Sequence, residues 1–290
     1  MPSKYGSLHV RGAGGKAASL TKLVTLIETF LKGRGYRVRS AKLDNLPDPS
    51  EDPSRIGVAV FKGSNGWRSV MLSDLDLFSP LAAHLSETLG GPALYTLAIY
   101  NDRWTYELYE NGQKVSDFDS AVFRERQKEL RKQLPQVEVP AEVLEIANRI
   151  RQAQATEDEM RQVATYMAEN PDGAVAIAAS TMSEMLGISL ESAMSAFPSP
   201  PVESGLTPER RETLEPLLVE EATLEELQEV LDENSISPDA TLSRFLPLLG
   251  IESAFADTEY EIVFVEMWYD PHEVLPPYLE VAKFLIGEPA

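Results

Sequence analysis

The 290-residue sequence contains no cysteine, which excludes disulfides, thiolate nucleophiles, Cys-ligated zinc and iron–sulfur clusters. It contains only three histidines, His9, His84 and His272, so little imidazole is present for metal sites or acid–base catalysis. Neither a Gly-x-Ser-x-Gly elbow nor a His-Glu-x-x-His motif occurs. These absences favour a protein without catalytic activity, and no cofactor is expected.

Long hydrophobic runs are also missing. Apolar stretches such as 174–179 and 262–265 are far shorter than the roughly 18 residues that cross a bilayer. Residues 1–18 lack the continuous apolar core and the small-residue cleavage site of a secretory signal. We therefore expect a cytoplasmic protein that does not enter a membrane.

The overall composition is that of a folded protein, with 43% hydrophobic and 25% charged residues. Its net charge of −20 is unevenly distributed. Residues 1–134 carry 19 basic and 15 acidic side chains, a net charge of +4, whereas residues 135–290 carry 7 and 31, a net charge of −24. Phosphate repulsion excludes nucleic acid as a partner of the acidic half, and a basic protein is the expected partner.

The change in charge coincides with a proline-flanked segment. Pro135 and Pro140 enclose a short extended stretch, which is typical of a junction between two units. The sequence thus predicts an α+β module over 1–134 and a mainly helical, acidic region over 141–290.

Hydrophobic periodicity in the first half predicts helices alternating with short strands. Ser79-Pro80 is typical of a helix start, and Gly63-Ser64-Asn65-Gly66 and Asn111-Gly112 are typical of hairpin turns. The predicted helices are 19–31, 79–89 and 121–133, and the predicted strands are 36–43, 56–61, 67–72, 93–100, 103–110 and 114–118.

Residues 81–120 resemble a family of small, uncharacterised bacterial cytoplasmic α+β proteins. The similarity lies in the helix Leu-Ala-Ala-His-Leu-Ser-Glu-Thr-Leu-Gly, a strand that ends in Asn-Asp, the aromatic strand Trp-Thr-Tyr-Glu-Leu-Tyr with its Asn-Gly turn, and Asp-Phe-Asp-Ser. The resemblance implies the α+β fold and a toxin-immunity type of role, and it transfers no catalytic residue.

The second half shows repeated helix starts. Thr156 with Glu159, and Thr223 with Glu226, have the spacing of the capping box. The predicted helices are 141–154, 157–169, 172–186, 189–196, 208–220, 224–233, 239–249 and 274–286. Residues 259–268 are rich in β-branched and aromatic types, so they are predicted to add a late strand to the sheet of the first module.

The glycine-rich segment 12–16 superficially resembles a phosphate-binding loop. It lacks the early glycine of that motif because position 10 is Val, no clear strand precedes it, and Ala17 follows Lys16 where Ser or Thr is needed. We interpret it as a flexible N-terminal loop.

Four aspartates fall at predicted strand ends: Asp74, Asp76, Asp102 and Asp117. Convergent carboxylates can hold a divalent metal, so a metal-dependent hydrolase is the alternative function. Turn and helix-cap roles are the ordinary interpretation of aspartate at such positions, and we prefer them.

The histidines have structural interpretations. His84 lies at the edge of the apolar stripe of its helix, which predicts a half-buried structural residue. His272 lies between Asp270 and Glu273 in a proline-rich loop, a weak metal-site pattern.

The interpretation we adopt is a non-enzymatic, cytosolic protein-binding module. Strand alternation places Trp104 and Tyr106 opposite Tyr109, so one of these faces should stay partly exposed and contact a partner unless helices cover both. Glu225, Glu226 and Glu229 flank apolar residues of a predicted helix and form the acidic part of the expected surface. Neutralisation of a basic toxin is the sharpest form of this hypothesis.

Overall fold

The computed structural model describes residues 4–41, 54–99, 102–133, 139–152, 154–186, 202–233, 238–256 and 281–290. The chain divides into two compact units, one made of residues 1–123 and 204–290 and the other of residues 124–203. The sequence-based junction at 135–140 differs from these bounds and stays a prediction, since most of that segment lies outside the described residues.

The strands and helices of the described residues agree closely with the periodicity of the sequence. The strands are β1 (Lys4–Val10), β2 (Tyr36–Ala41), β3 (Ile56–Phe61), β4 (Arg68–Leu72), β5 (Ala93–Ile99), β6 (Arg103–Glu110), β7 (Gln113–Asp119) and β8 (Val281–Pro289). The helices are α1 (Leu20–Gly33), α2 (Phe78–Leu89), α3 (Ser120–Gln133), α4 (Ala141–Arg151), α5 (Glu157–Glu169), α6 (Pro171–Leu186), α7 (Pro208–Leu214), α8 (Leu224–Asp232) and α9 (Pro238–Leu248). The α+β class is confirmed, with seven of the eight described strands in the first half and mainly helices, followed by β8, in the second.

All eight strands form one antiparallel sheet in the order β2-β8-β3-β4-β1-β5-β6-β7. The β6–β7 hairpin turns at Asn111-Gly112, where both residues have positive φ, 50° and 80°. Glycine suits this backbone because it has no Cβ to clash with the adjacent carbonyl, as the Asn-Gly signal predicted.

Two strands of the sheet differ from the sequence prediction. β1 was missed, although it pairs with both β4 and β5 near the middle of the sheet. Residues 281–286 were predicted as the end of a helix and form part of β8 instead. β8 lies between two strands and buries Leu285 and Ile286, so its apolar residues do not alternate and the period of two is lost. The predicted strand 259–268 and the predicted helix 189–196 lie outside the described residues.

Helices cover both faces of the sheet. On one face, α1 and α2 bury their apolar stripes against alternate side chains of β1, β3 and β4, which include Leu8, Val58 and Val70. On the other face, α7, α8 and α9 pack on a second cluster that contains Phe61, Trp104 and Tyr106, among others. The first unit therefore has three layers, and the central strands of its sheet are buried on both faces, whereas the edge strand β7 stays largely exposed.

The unit of residues 124–203 has a small core of its own. Among its described residues, Val143 and Ile146 of α4, Val163 of α5 and Ile177 of α6 form one buried hydrophobic cluster. Thr156 and Glu159 form the predicted capping box at the start of α5, with both reciprocal hydrogen bonds present.

Candidate protein-binding surface

Helix α8 is amphipathic in the way the sequence predicted. Leu227, Val230 and Leu231 are buried in the second cluster. Glu225 and Glu229 project from the opposite side and are exposed. Burial of the leucine stripe therefore fixes the direction in which these carboxylates point.

The exposed side of α8 meets α9 at a shallow, open depression of about 550 Å³. Its lining residues are Glu225, Gln228, Glu229, Asp232, Glu233 and Arg244. We call the four carboxylates among them, those of Glu225, Glu229, Asp232 and Glu233, the acidic surface. Among the described lining residues one is a cation: Arg244 Nη1 lies 2.8 Å from Glu233 Oε2, and Arg244 Nη2 lies 3.9 Å from Glu229 Oε2. Four negative charges and one positive charge leave the depression strongly negative.

Two carboxylates near the depression also support the local structure. The Asp232 side chain accepts hydrogen bonds from Ser204 Oγ at 3.0 Å and from the backbone N–H of Gly205. Glu226 accepts the backbone N–H of Thr223 at 2.8 Å, and Thr223 Oγ1 accepts the N–H of Glu226. Glu226, predicted as a partner-binding residue, is therefore also half of a capping box, and Glu225 and Glu229 are the better test positions.

The aromatic part of the expected surface is buried, which corrects the sequence-based expectation. Trp104 and Tyr106 are 2% and 0% exposed and pack on Phe245 of α9, with ring centroids 5.3 and 5.4 Å apart. Tyr109 is 8% exposed on the other face and donates its hydroxyl to Glu107 at 2.7 Å. Both alternating sets are inside because helices cover both faces. Burial raises the pKa of Tyr106 to about 12.

The four strand-end aspartates do not converge. Asp74 accepts the N–H of Asp76 at 3.0 Å in the turn before α2, which is the predicted turn role. Asp117 pairs with Lys114 at 2.7 Å on β7, and Asp102 lies in the exposed turn between β5 and β6. Three strands separate β4 from β7, so the two ends lie roughly 19 Å apart at the usual strand spacing. Within the described part of the chain, no group of three acidic or histidine side chains is arranged to hold a metal ion.

A buried polar cluster on β1 was not anticipated from the sequence. Nε2 of His9 lies 2.8 Å from Ser7 Oγ, and Nδ1 lies 2.8 Å from Ser69 Oγ. Ser7 Oγ is also 3.0 Å from Thr96 Oγ1, and the edge of Phe255 lies against the imidazole. Burial lowers the pKa of His9 to about 3. A neutral imidazole satisfies both contacts by donating through one nitrogen and accepting through the other.

This cluster resembles a serine–histidine pair, but all four polar side chains are at most 2% exposed. In this structure their side chains satisfy one another's hydrogen-bonding groups inside the sheet. Alternating Ser7, Leu8, His9 and Val10 is a strand pattern that could have revealed β1. It would not have revealed burial, since polar alternation ordinarily indicates a solvated face.

The remaining candidates have structural roles or lie outside the described residues. His84 is half-buried and packs on Phe30 at 5.6 Å, as predicted. β1 does lead into the glycine-rich segment, contrary to expectation, and a short 3₁₀ turn at Ala13–Gly15 follows it. The sequence objections to a phosphate-binding loop, Val10 and Ala17, are unaffected. His272, with Asp270 and Glu273, is not among the described residues.

The fold and surface define an α+β protein with a covered antiparallel sheet and an acidic depression on one helical layer. In comparisons with known proteins, no family model matches this chain, and no curated protein or solved structure is significantly similar to it. In the part of the chain that the structure describes, none of the helices combines the length and the apolar character needed to span a bilayer.

Proposed function

We propose that this protein is a non-enzymatic cytoplasmic module that binds a basic protein through the acidic surface on α8 and α9. The observation that carries the proposal is the depression between these helices, where four carboxylates face one arginine. An isolated excess of surface charge normally serves solubility. Here the carboxylates line a concave site. Lysine and arginine side chains of a partner can form ion pairs there in place of those that Arg244 makes with Glu229 and Glu233.

The surface suits a protein partner better than a small ligand. The depression is open, polar and shallow, whereas small-molecule sites are mostly enclosed and apolar. Exposed charge pairs contribute little each, about 0–1 kcal/mol, so affinity needs several of them together with apolar contacts beside them. Their larger effect is on the rate of encounter and on the choice of partner.

The resemblance of residues 81–120 adds a biological form to this proposal, namely the neutralisation of a basic toxin. In this form of the proposal, the carboxylates of the acidic surface face a cationic surface of the toxin. The metal-dependent hydrolase alternative has no supporting geometry among the described residues, since Asp74, Asp102 and Asp117 lie on separate turns and strands.

The test compares three baits in affinity capture from the host cytosol with quantitative mass spectrometry. They are the wild type, the double reversal Glu225→Lys with Glu229→Lys, and a control with Glu142→Lys and Glu145→Lys. The control changes the charge equally at exposed positions of α4. Glu226 is left intact so that the capping box of α8 survives.

We expect the wild type and the α4 control to capture at least one basic protein in similar amounts. The variant with Glu225→Lys and Glu229→Lys should capture about tenfold less of that protein. Binding of that protein, once purified, should show the same ranking by calorimetry. The proposal is wrong if every captured protein is retained equally by the reversed surface.

A further inference from the structure

Strand β8 fills a gap in the middle of one half of the sheet. It pairs with β2 over Tyr36–Ala41 and with β3 over Ile56–Phe61. β2 and β3 are both antiparallel to β8, so they run parallel to each other and do not pair directly. Both long sides of β8 are therefore hydrogen-bonded to strands that precede it by more than 200 residues.

Without β8 the sheet has an open edge strand whose backbone groups are free to pair with another strand. All six residues of β3 are buried, so its edge is apolar on both faces. Among the described strands, β2 pairs with β8 alone, so without β8 it would be detached from the sheet. Long, flat, apolar edges readily pair with any suitable strand, including one from another chain.

β8 also completes the cores on both faces. Leu285 belongs to the cluster under α1 and α2, and Ile286 belongs to the cluster under α7, α8 and α9. Gly287 lies opposite both Val38 and Ile56, against the ring of Tyr36. The side chains of β8 thus fit this gap, and a second copy of this chain carries the same strand.

We propose that β8 exchanges between two copies of this protein, so that each copy supplies the strand that completes the other's sheet. Every hydrogen bond and apolar contact of β8 is then preserved, because the exchanged strand is identical in sequence and register. β2 and β3, which border the gap, precede β8 by more than 200 residues along the chain. Intramolecular closure wins at low concentration, and exchange competes as concentration rises during folding.

The cysteine-free sequence allows a direct test by disulfide trapping. Arg37 and Glu288 face each other across β2 and β8, at the separation of directly opposed strand residues. One chain carries Arg37→Cys and another carries Glu288→Cys. The two are mixed in denaturant, refolded together and oxidised, and the mixed disulfide is quantified by mass spectrometry.

The control uses Glu110→Cys and Gln113→Cys in separate chains. These positions are also directly opposed, but they flank the two-residue turn of the β6–β7 hairpin and cannot be exchanged independently. Exchange predicts about tenfold more 37–288 than 110–113 mixed disulfide, with a yield that grows with protein concentration. Equal yields of the two disulfides at every concentration would refute strand exchange.

A second measurement uses both substitutions in one chain. The intramolecular 37–288 disulfide is formed at low protein concentration, and the chain is then unfolded and refolded at high concentration. The locked chain should remain monomeric in size-exclusion chromatography, whereas the reduced chain should give dimers. Dimers in equal amount from the locked chain would show that association does not use β8.

Discussion

At the scale of the residue, the fold strongly constrains the protonation of His9. Its two nitrogens are occupied by the hydroxyls of Ser7 and Ser69, and the side chain is fully buried. Burial lowers its pKa from 6.5 to about 3, because a charged imidazole is costly inside the sheet. The sheet therefore tolerates only the neutral form.

This constraint predicts a pH dependence of stability. Below pH 6.5 His9 binds a proton in the unfolded chain but not in the folded chain. The free energy of unfolding therefore falls as the pH drops towards 3. The expected slope from this residue is about 1.4 kcal/mol per pH unit within that window, with no contribution above it. Urea unfolding at several pH values measures it.

His9→Gln is the variant for this measurement, because glutamine can hydrogen-bond to both serines and does not titrate. It should flatten the pH dependence of the free energy of unfolding between pH 6.5 and 4 relative to wild type. If His9→Gln keeps the full wild-type slope, other groups control the acid sensitivity.

The residue scale also shows where sequence reasoning fails. The turn role of Asp74 and the half-buried position of His84 were predictable, because each depends on local spacing. The burial of Trp104 and Tyr109 on opposite faces was not, because it depends on helices more than 100 residues away in the chain covering the second face. The same layer buries Ser7 and His9, whose polarity indicated a solvated strand face.

At the scale of the element, α8 depends on its capping box to hold the acidic surface in place. Thr223 and Glu226 satisfy each other's backbone N–H groups at the first turn. Thr223→Ala should lower the free energy of unfolding by about 1 kcal/mol, and Thr223→Ser should restore most of it. Thermal unfolding of the three proteins checks this ranking.

Glu226 offers a companion measurement, because glutamine preserves the box and alanine does not. Glu226→Gln should remain close to wild type in stability, whereas Glu226→Ala should resemble Thr223→Ala. Equal stability of all these variants would mean that tertiary packing of Leu227 and Leu231 alone holds the helix.

Elements with clear local signals were predicted well, and those without them were not. The starts of α5, α7 and α8 were recognisable from a capping threonine or a following proline. β8 carried no such signal: a nine-residue strand between two other strands has no polar side to mark its period. The order of the strands in the sheet could not be predicted from the sequence either, because only tertiary packing brings residues 281–289 between β2 and β3.

At the scale of the whole molecule, the junction at Pro135–Pro140 predicts preferential proteolysis. α3 continues from Ser120 to Gln133 through the boundary between residues 123 and 124, so the helix protects the backbone there. Limited digestion with a nonspecific protease should therefore cut first between residues 133 and 141. Mass spectrometry of the earliest fragments identifies the site.

The two fragments should remain together after this cut. The C-terminal fragment contributes β8, which is hydrogen-bonded to both β2 and β3 of the N-terminal fragment. Size-exclusion chromatography should show the nicked protein at its intact size in native buffer and two separate fragments in denaturant. Resistance throughout residues 133–141 would argue against a junction there.

The charge distribution of the whole chain predicts how binding depends on salt. Residues 135–290 carry a net charge of −24, and such a field attracts a basic protein over distances of about 10 Å at 0.1 M salt. The association rate of a captured basic partner should therefore fall at least about tenfold between 20 and 150 mM salt, while the dissociation rate changes little. Stopped-flow fluorescence at a series of salt concentrations measures both rates.

The location of the charge matters as well as its amount. Reversing Glu225 and Glu229 should slow association and flatten its salt dependence, because these carboxylates lie where the partner docks. The equal charge change at Glu142 and Glu145 should have a smaller effect on both. If neither salt nor the reversal of Glu225 and Glu229 changes the association rate, the acidic surface serves solubility and does not bind the partner.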